Sequence, residues 1–245
     1  MNIQSSEQCH LSFDASLKSL FDCCCIEINL ALQKRIKCRI YGKQQLVNLG
    51  IDFNSLLDKP TTGGYVLDGT DMTVLSEQER NVHRRSTLSF IFQSFNLIDE
   101  LTVEENIELP LLYMKVPASE RKHRIEDALK RMDMVHRSKH FPSQLSGGQQ
   151  QRTAIARAIV MQPKLILADE PTGNLDSKNG QEMMMLLREL HKEGTTIVMV
   201  THSARDASYA DRIVNLFDGR VMDTMEVQRS KSVRFRTLLL LREVF

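Results

Sequence analysis

Charge of one sign, long apolar runs and late cysteines are what this chain lacks. Its 32 Lys and Arg stand against 31 Asp and Glu, a formal net charge of +1. That balance argues neither for a strongly basic nucleic-acid binder nor for an acidic tail. No stretch approaches the roughly 18 apolar residues that span a bilayer. The N-terminus, MNIQSSEQCHLSFD, has neither the basic start nor the apolar core of a signal peptide. The chain is therefore expected in the cytoplasm, with any membrane role reached through a partner. All cysteines (Cys9, Cys23, Cys24, Cys25 and Cys38) precede residue 39. The CCC run has no CxxC spacing and no downstream pair, so neither a zinc site nor a disulfide framework is expected. Internal repeats and low-complexity segments are also missing.

From Leu56 onward, local signals agree with one another. GGYVLDGTDM predicts a strand and an Asp68-Gly69 hairpin turn. Ser76 with Glu79, and Thr102 with Glu105, have the spacing of capping boxes that open helices. Pro110 is expected to end or kink the second of these helices. Ile125, Leu129 and Met132 define one face of a polar-coated helix, and TAIARAIVMQP predicts a more buried helix stopped at Pro163. LILA (165–168) and TIVMV (196–200) are short continuous apolar runs, the pattern of buried parallel strands. The helical segment between them, ended by Gly194, completes an α/β unit. Before Leu56 no period is sustained. The final stretch, VQRSKSVRFRTLLLLREVF, is expected as a partly ordered tail or an amphipathic surface helix.

Chemistry concentrates in a few motifs. In LSGGQQQR, Ser146 and Gln149 have capping-box spacing, and Gly147 and Gly148 leave the first-turn N–H groups uncovered. A helix start of that kind suits a phosphate, although a Gly-containing turn before a helix is common. LILADEPTGNLD ends an apolar strand in Asp169 and Glu170, at the sheet edge where ligands bind in α/β folds. The first carboxylate can hold Mg²⁺, and the second can position or deprotonate an attacking water. His202 ends the next strand at the same edge, and Gln93 follows the apolar run FIF.

With these residues in order, the chain resembles the ATP-binding subunits of ABC transporters, and within them the lipoprotein-release and macrolide-export group. FQSFNLIDELTVEENIELPL, LSGGQQQRTAIARA and LADEPTGNLD carry the resemblance, which runs from Leu56 to about Val221, about two-thirds of the chain. It implies an α/β fold: an ABC-type P-loop NTPase nucleotide-binding domain, with a RecA-like parallel-sheet core and a helical subdomain. By resemblance, Gln93 links the metal site to a transmembrane partner. Ser146, Gly147, Gly148 and Gln149 form the signature that closes on ATP held by the opposite subunit. Asp169 is the metal-binding aspartate, Glu170 the catalytic glutamate, Asp176 the aspartate that communicates across the dimer, and His202 the switch histidine. The implied cofactors are ATP and Mg²⁺. The implied partners are a transmembrane permease and a second nucleotide-binding subunit, with no nucleic acid. The expected location is the inner face of the cell membrane, reached through the permease. DNA-repair and translation relatives bring a long coiled-coil insertion or a second ATPase domain, and the 52 positions from Gln93 to Leu145 leave no room for the former.

One family element is missing. The resemblance calls for GxxxxGK[ST] roughly 50 residues before Gln93, where backbone N–H groups and a Lys cradle phosphates. The only glycines before Leu56 are Gly42 and Gly50, and Gly42-Lys43 is followed by Gln44. The expected organisation is an anomalous segment (1–55), a nucleotide-binding domain (56–225) with a helical subdomain near 94–150, and a basic, apolar tail (226–245). The first segment has two competing origins: a shifted reading frame, giving a non-functional product, or a degenerate subunit that still lends its Ser146 helix to a partner.

Overall fold

The computed structural model describes residues 26–32, 36–42, 65–217, 220–226 and 237–241. Two sheets organise them. The first is antiparallel, in the order β1 (Ile26–Leu32), β2 (Ile36–Gly42), β3 (Tyr65–Leu67) and β4 (Thr70–Asp71). The expected hairpin is there: Val66 pairs with Asp71 across a turn in which Asp68 (φ 51°) and Gly69 (φ 84°) are both left-handed. A two-residue turn with positive φ at both positions matches the twist of the flanking strands. IKCRIYG, from the segment in which no period is sustained, pairs along its whole length with β1.

The second sheet has the order β5-β6-β7-β10-β8-β9, built from β5 (Leu88–Ile91), β6 (Leu165–Asp169), β7 (Thr196–Thr201), β8 (Arg212–Phe217), β9 (Arg220–Glu226) and β10 (Thr237–Leu241). All its pairs are parallel except β8 with β9. Leu165, Ile166, Leu167 and Ala168 are at most 1% exposed, as expected of a parallel strand covered on both faces. Each large aliphatic side chain so buried contributes about 1.5–3 kcal/mol.

The last strand corrects an expectation. Thr237–Leu241 is neither a tail nor a helix but an interior strand, in register with Ile197–Thr201 on one side and, from Leu238, with Arg212–Asn215 on the other. Parallel ladders on both sides satisfy its backbone groups, which a surface tail would leave to water.

The helices follow their caps. α1 (Glu77–Thr87) and α2 (Val103–Tyr113) open on complete capping boxes at Ser76 and Thr102. α2 passes through Pro110 to Tyr113 instead of stopping there, because burial of Ile107 and Leu111 at 0% exposure outweighs the one backbone bond proline removes. α3 (Ala118–Arg131) buries Ile125 and Leu129 on its predicted face, and Met132 follows as its cap. α4 (Gly147–Ile159) ends before Pro163: Gln162, at φ 53°, reverses the chain and donates its N–H to Ile159 O. α5 (Ser177–Lys192) ends at a left-handed Gly194 (φ 109°), and the short α6 (Ala204–Ala207) follows β7. Among the described residues, no helix is long and apolar enough to cross a membrane.

Candidate functional site

The strand registers bring the predicted residues to one edge. Ile91 lies opposite Ala168, so Gln93 emerges from β5 near the level where Asp169 and Glu170 leave β6. Asp169 lies opposite Val200 on β7, two residues before His202. This is the carboxyl edge of a parallel sheet, where open α/β folds place their ligands.

Glu170 is the most constrained residue there. It takes φ 44°, its N–H donates to Val200 O at 2.9 Å, and its residue surface is 9% exposed. A left-handed residue with a side chain costs roughly 1–3 kcal/mol, and such strain gathers at functional sites. His202 Nδ1 approaches Glu170 Oε1 at 2.5 Å. A carboxylate only accepts, so Nδ1 donates, from a side chain that is 64% exposed. Asp169 is half-buried beside them.

The loop after Glu170 is tied to α4, to α6 and to the segment after β5. Gln151 Nε2 of α4 donates to Pro171 O (2.8 Å), and Thr172 Oγ1 donates to the buried Asp206 Oδ2 (2.5 Å). Asn174 Nδ2 donates to Gln93 O (2.9 Å). Gln93 packs against this loop at Gly173: a Cβ there would meet Gln93 Nε2 at 2.6 Å, so a larger residue would push the Gln93 side chain aside. Gln93 and the Glu170 loop are therefore in contact through both backbone and side chain.

The signature sits on α4. Ser146 caps it, with Gln149 N donating to Ser146 Oγ (3.4 Å) and Ser146 N to Gln149 Oε1 (3.0 Å). The side chain of Gln149 is thus engaged in its own cap. The N–H groups of Gly147 and Gly148 precede the first intrahelical bond, from Gln150 N to Ser146 O. Asp176 caps α5, accepting from Lys178 N and Asn179 N at 3.0 Å and from Asn179 Nδ2 at 2.6 Å. These bonds, the Asn179 backbone first, hold its carboxyl below the usual range. The two helix starts touch: a Cβ on Gly148 would meet Asn179 Oδ1 at 2.6 Å.

Several residues of this framework carry no sequence signal of their own. Asn106, fully buried on α2, accepts from Ile98 N and donates to the carbonyls of Ile98, Leu101 and Thr102. Arg157 on α4 reaches the carbonyls of Phe95 and Asn96. Asn174 and Asn179 lie within or beside a recognisable motif, yet their partners are visible only in three dimensions.

Comparison with known proteins supplies the context. The sequence profile of the ABC transporter family matches residues 53–173. The macrolide export ATP-binding/permease protein MacB of Brucella melitensis is 45% identical over 181 residues, 74% of this chain but 27% of that protein. The chain thus spans about a quarter of the length of such relatives. The uncharacterized ABC transporter ATP-binding protein YknY of Bacillus subtilis is 44% identical over 189 residues, 77% of this chain and 80% of that one. Among solved structures, a dimeric post-hydrolysis state of the ATP-binding cassette MJ0796, bound to ADP and Pi, superposes with a TM-score of 0.67 at 40% identity. The match covers 74% of this chain and 81% of that one. Fold, edge geometry and these relatives agree: the chain belongs to the ABC transporter family, among its ATP-binding proteins.

Proposed function

We propose that the chain is the ATP-binding subunit that powers a membrane permease for export or lipoprotein release, acting at the cytoplasmic face of the membrane through that permease and paired with a second nucleotide-binding subunit. The observation that carries this reading is the strained, buried Glu170 held on His202 beside Asp169 at the sheet's carboxyl edge. In it, Glu170 takes a proton from the attacking water, and His202 fixes the carboxylate and turns Nε2 toward the reacting phosphate. Ser146, Gly147 and Gly148 present the start of α4 to ATP bound by the opposite subunit, while Asp176 sits at the facing helix start. We further assign residues 56–225 as the nucleotide-binding domain, with α2 and α3 in its helical subdomain near 94–150.

The donor set fits MgATP in part. Mg²⁺ takes one or two carboxylates beside phosphate oxygens, and Asp169 with the Gln93 side-chain carbonyl supplies that chemistry at one edge. The sequence pattern of a phosphate cradle, GxxxxGK[ST], does not occur in the chain. Each charge-assisted contact so lost is worth about 1.5–3 kcal/mol. A second reading follows from that gap: a partner subunit that lends its α4 start to another chain's ATP without hydrolysing at its own site.

One experiment separates the two. ATP turnover is measured for the chain alone and mixed with an ABC cassette that carries an intact loop. Alone, turnover is expected to be near background. In the mixture, Ser146→Arg should abolish the stimulation under either reading. Glu170→Gln should lower it by about 10²–10⁴-fold if this chain's own site hydrolyses, and leave it unchanged if only α4 is lent. Micromolar MgATP binding with turnover by the chain alone would refute the claim that the missing loop cripples it.

A further inference from the structure

Directly after Gln93, the chain makes a bend that its own residues support poorly. Phe95 and Asn96 are consecutive left-handed residues with φ 60° and 48°, and one of them is a bulky aromatic. Left-handed φ is tolerated by asparagine but unusual for an aromatic residue. Within the bend, Phe95 N donates to Phe92 O at 3.2 Å and Asn96 N to Ser94 O at 2.6 Å, both closing very short loops. The outward carbonyls of the same two residues converge on a single side chain. Arg157 Nη2 donates to Phe95 O at 2.8 Å and Nη1 to Asn96 O at 2.6 Å. A planar guanidinium with a fixed fork of donors matches two adjacent carbonyls as a flexible ammonium does not.

Arg157 belongs to α4, the helix that Ser146 caps. At 1.5 Å per residue, the clamp lies about 16 Å along the helix from that cap. The other end of the bend touches the same helix, since the Phe95 ring lies 4.0 Å from where a Cβ on Gly147 would stand. The bend therefore rests on α4 at its first turn and again three turns on. Gln93, two residues before Phe95, is held on its other side by Asn174 and Gly173.

We infer that Arg157 is a positioning residue: by clamping the left-handed bend at Phe95 and Asn96 it sets Gln93 against the Glu170 loop and makes any displacement of α4 a displacement of Gln93. The consequence for catalysis rests on the proposed role of Gln93, but the clamp itself does not. Its test therefore uses no nucleotide, and failure of the clamp is distinct from failure of the ATPase reading.

Amide hydrogen exchange of the full chain is compared for the wild type, Arg157→Lys, Arg157→Gln, and Arg157→Gln combined with Asn96→Gly. Loss of the two charge-assisted bonds should speed exchange at residues 94–98 by about tenfold or more, with the amides of β6 and β7 unchanged. Lysine, which keeps the charge but not the fork, should fall between. Glycine at position 96 takes left-handed φ without steric cost, so it should return much of the protection in the Arg157→Gln background. Unchanged exchange at 94–98 overturns the inference. So does an acceleration spread evenly over the sheet, or a glycine variant without recovery, since either would make Arg157 an ordinary contributor to stability. If Arg157→Gln does not fold, Arg157→Lys decides alone, by whether its effect is confined to 94–98.

Discussion

Helices α4 and α5 start against each other at the site edge, and they solve the same problem in opposite ways. Each must satisfy N–H groups that lack intrahelical partners and a positive dipole end. α5 does so internally: the Asp176 carboxylate takes two backbone N–H groups and the Asn179 amide, bringing its own negative charge. α4 uses a neutral hydroxyl, reciprocated by neutral Gln149, then two glycines, with no acid in its first turn. The uncompensated start is the one that can receive an external anion. A charged cap therefore marks a helix end closed to ligands, and a neutral cap followed by glycines marks one left open.

The largest effect on this pair is expected from Gly148→Ala. The new Cβ would meet Asn179 Oδ1 at 2.6 Å, and Asn179 cannot withdraw without loosening its bond to Asp176. Overpacking of this kind costs about 1–3 kcal/mol, partly offset by alanine's better helix propensity. Urea denaturation should show a net loss of about 1–2 kcal/mol. Asn179→Ala in the same chain should restore part of it; a double variant as unstable as the sum of the singles would mean the two starts are not in contact.

Next comes Ser146→Ala, which removes the cap of α4 alone and should cost about 1 kcal/mol. The loss should be the same at pH 7 and pH 4, because neither Ser146 nor Gln149 titrates. A pH-dependent loss would show that a charged group has entered that helix start.

What could be seen in advance divides along the same lines. The caps at Ser76, Thr102 and Ser146, the hairpin at Asp68-Gly69 and the strands through LILA and TIVMV are written in contiguous residues, so they were legible. The stop before Pro163 was legible too, though a left-handed Gln162 makes the turn, whereas Pro110 does not end its helix because a buried face carries α2 through it. β10 was missed for another reason: its run TLLLL has the apolar pattern of LILA, but its ladder partners begin at Ile197 and Arg212, and contiguous residues do not specify that pairing. Gln93, Asp169, Glu170 and His202, which the registers bring to one edge, lie in short motifs readable from contiguous residues. Their supports are not so readable, because Arg157 meets carbonyls 61 and 62 positions away and Asn174 meets one 81 away.

The two caps also differ in acid. Hydrogen bonds to the carboxylate, from the Asn179 backbone first, depress the pKa of Asp176 in the folded chain. A group depressed on folding contributes stability above its unfolded pKa and loses it as the pH falls through the folded one. The contribution of Asp176 should thus be full at neutral pH and fade below about pH 4. Asparagine caps nearly as well without titrating. Asp176→Asn should therefore match the wild type at pH 7 and lose less stability between pH 4 and pH 2. Parallel acid profiles would remove Asp176 as the charged cap of α5.

The smallest effect should come from Gly147→Ala, one residue from the most damaging site. A Cβ there would lie 3.8 Å from Asn174 O and 4.0 Å from the Phe95 ring, ordinary contact distances. Replacing glycine in a helix removes backbone freedom from the unfolded chain and stabilises by about 0.4–1 kcal/mol where the conformation suits alanine. The expected result is a slight gain in urea midpoint, opposite in sign to Gly148→Ala. Equal losses at both positions would mean that the first turn of α4 is uniformly crowded, and an external anion would then have no room at the start of that helix.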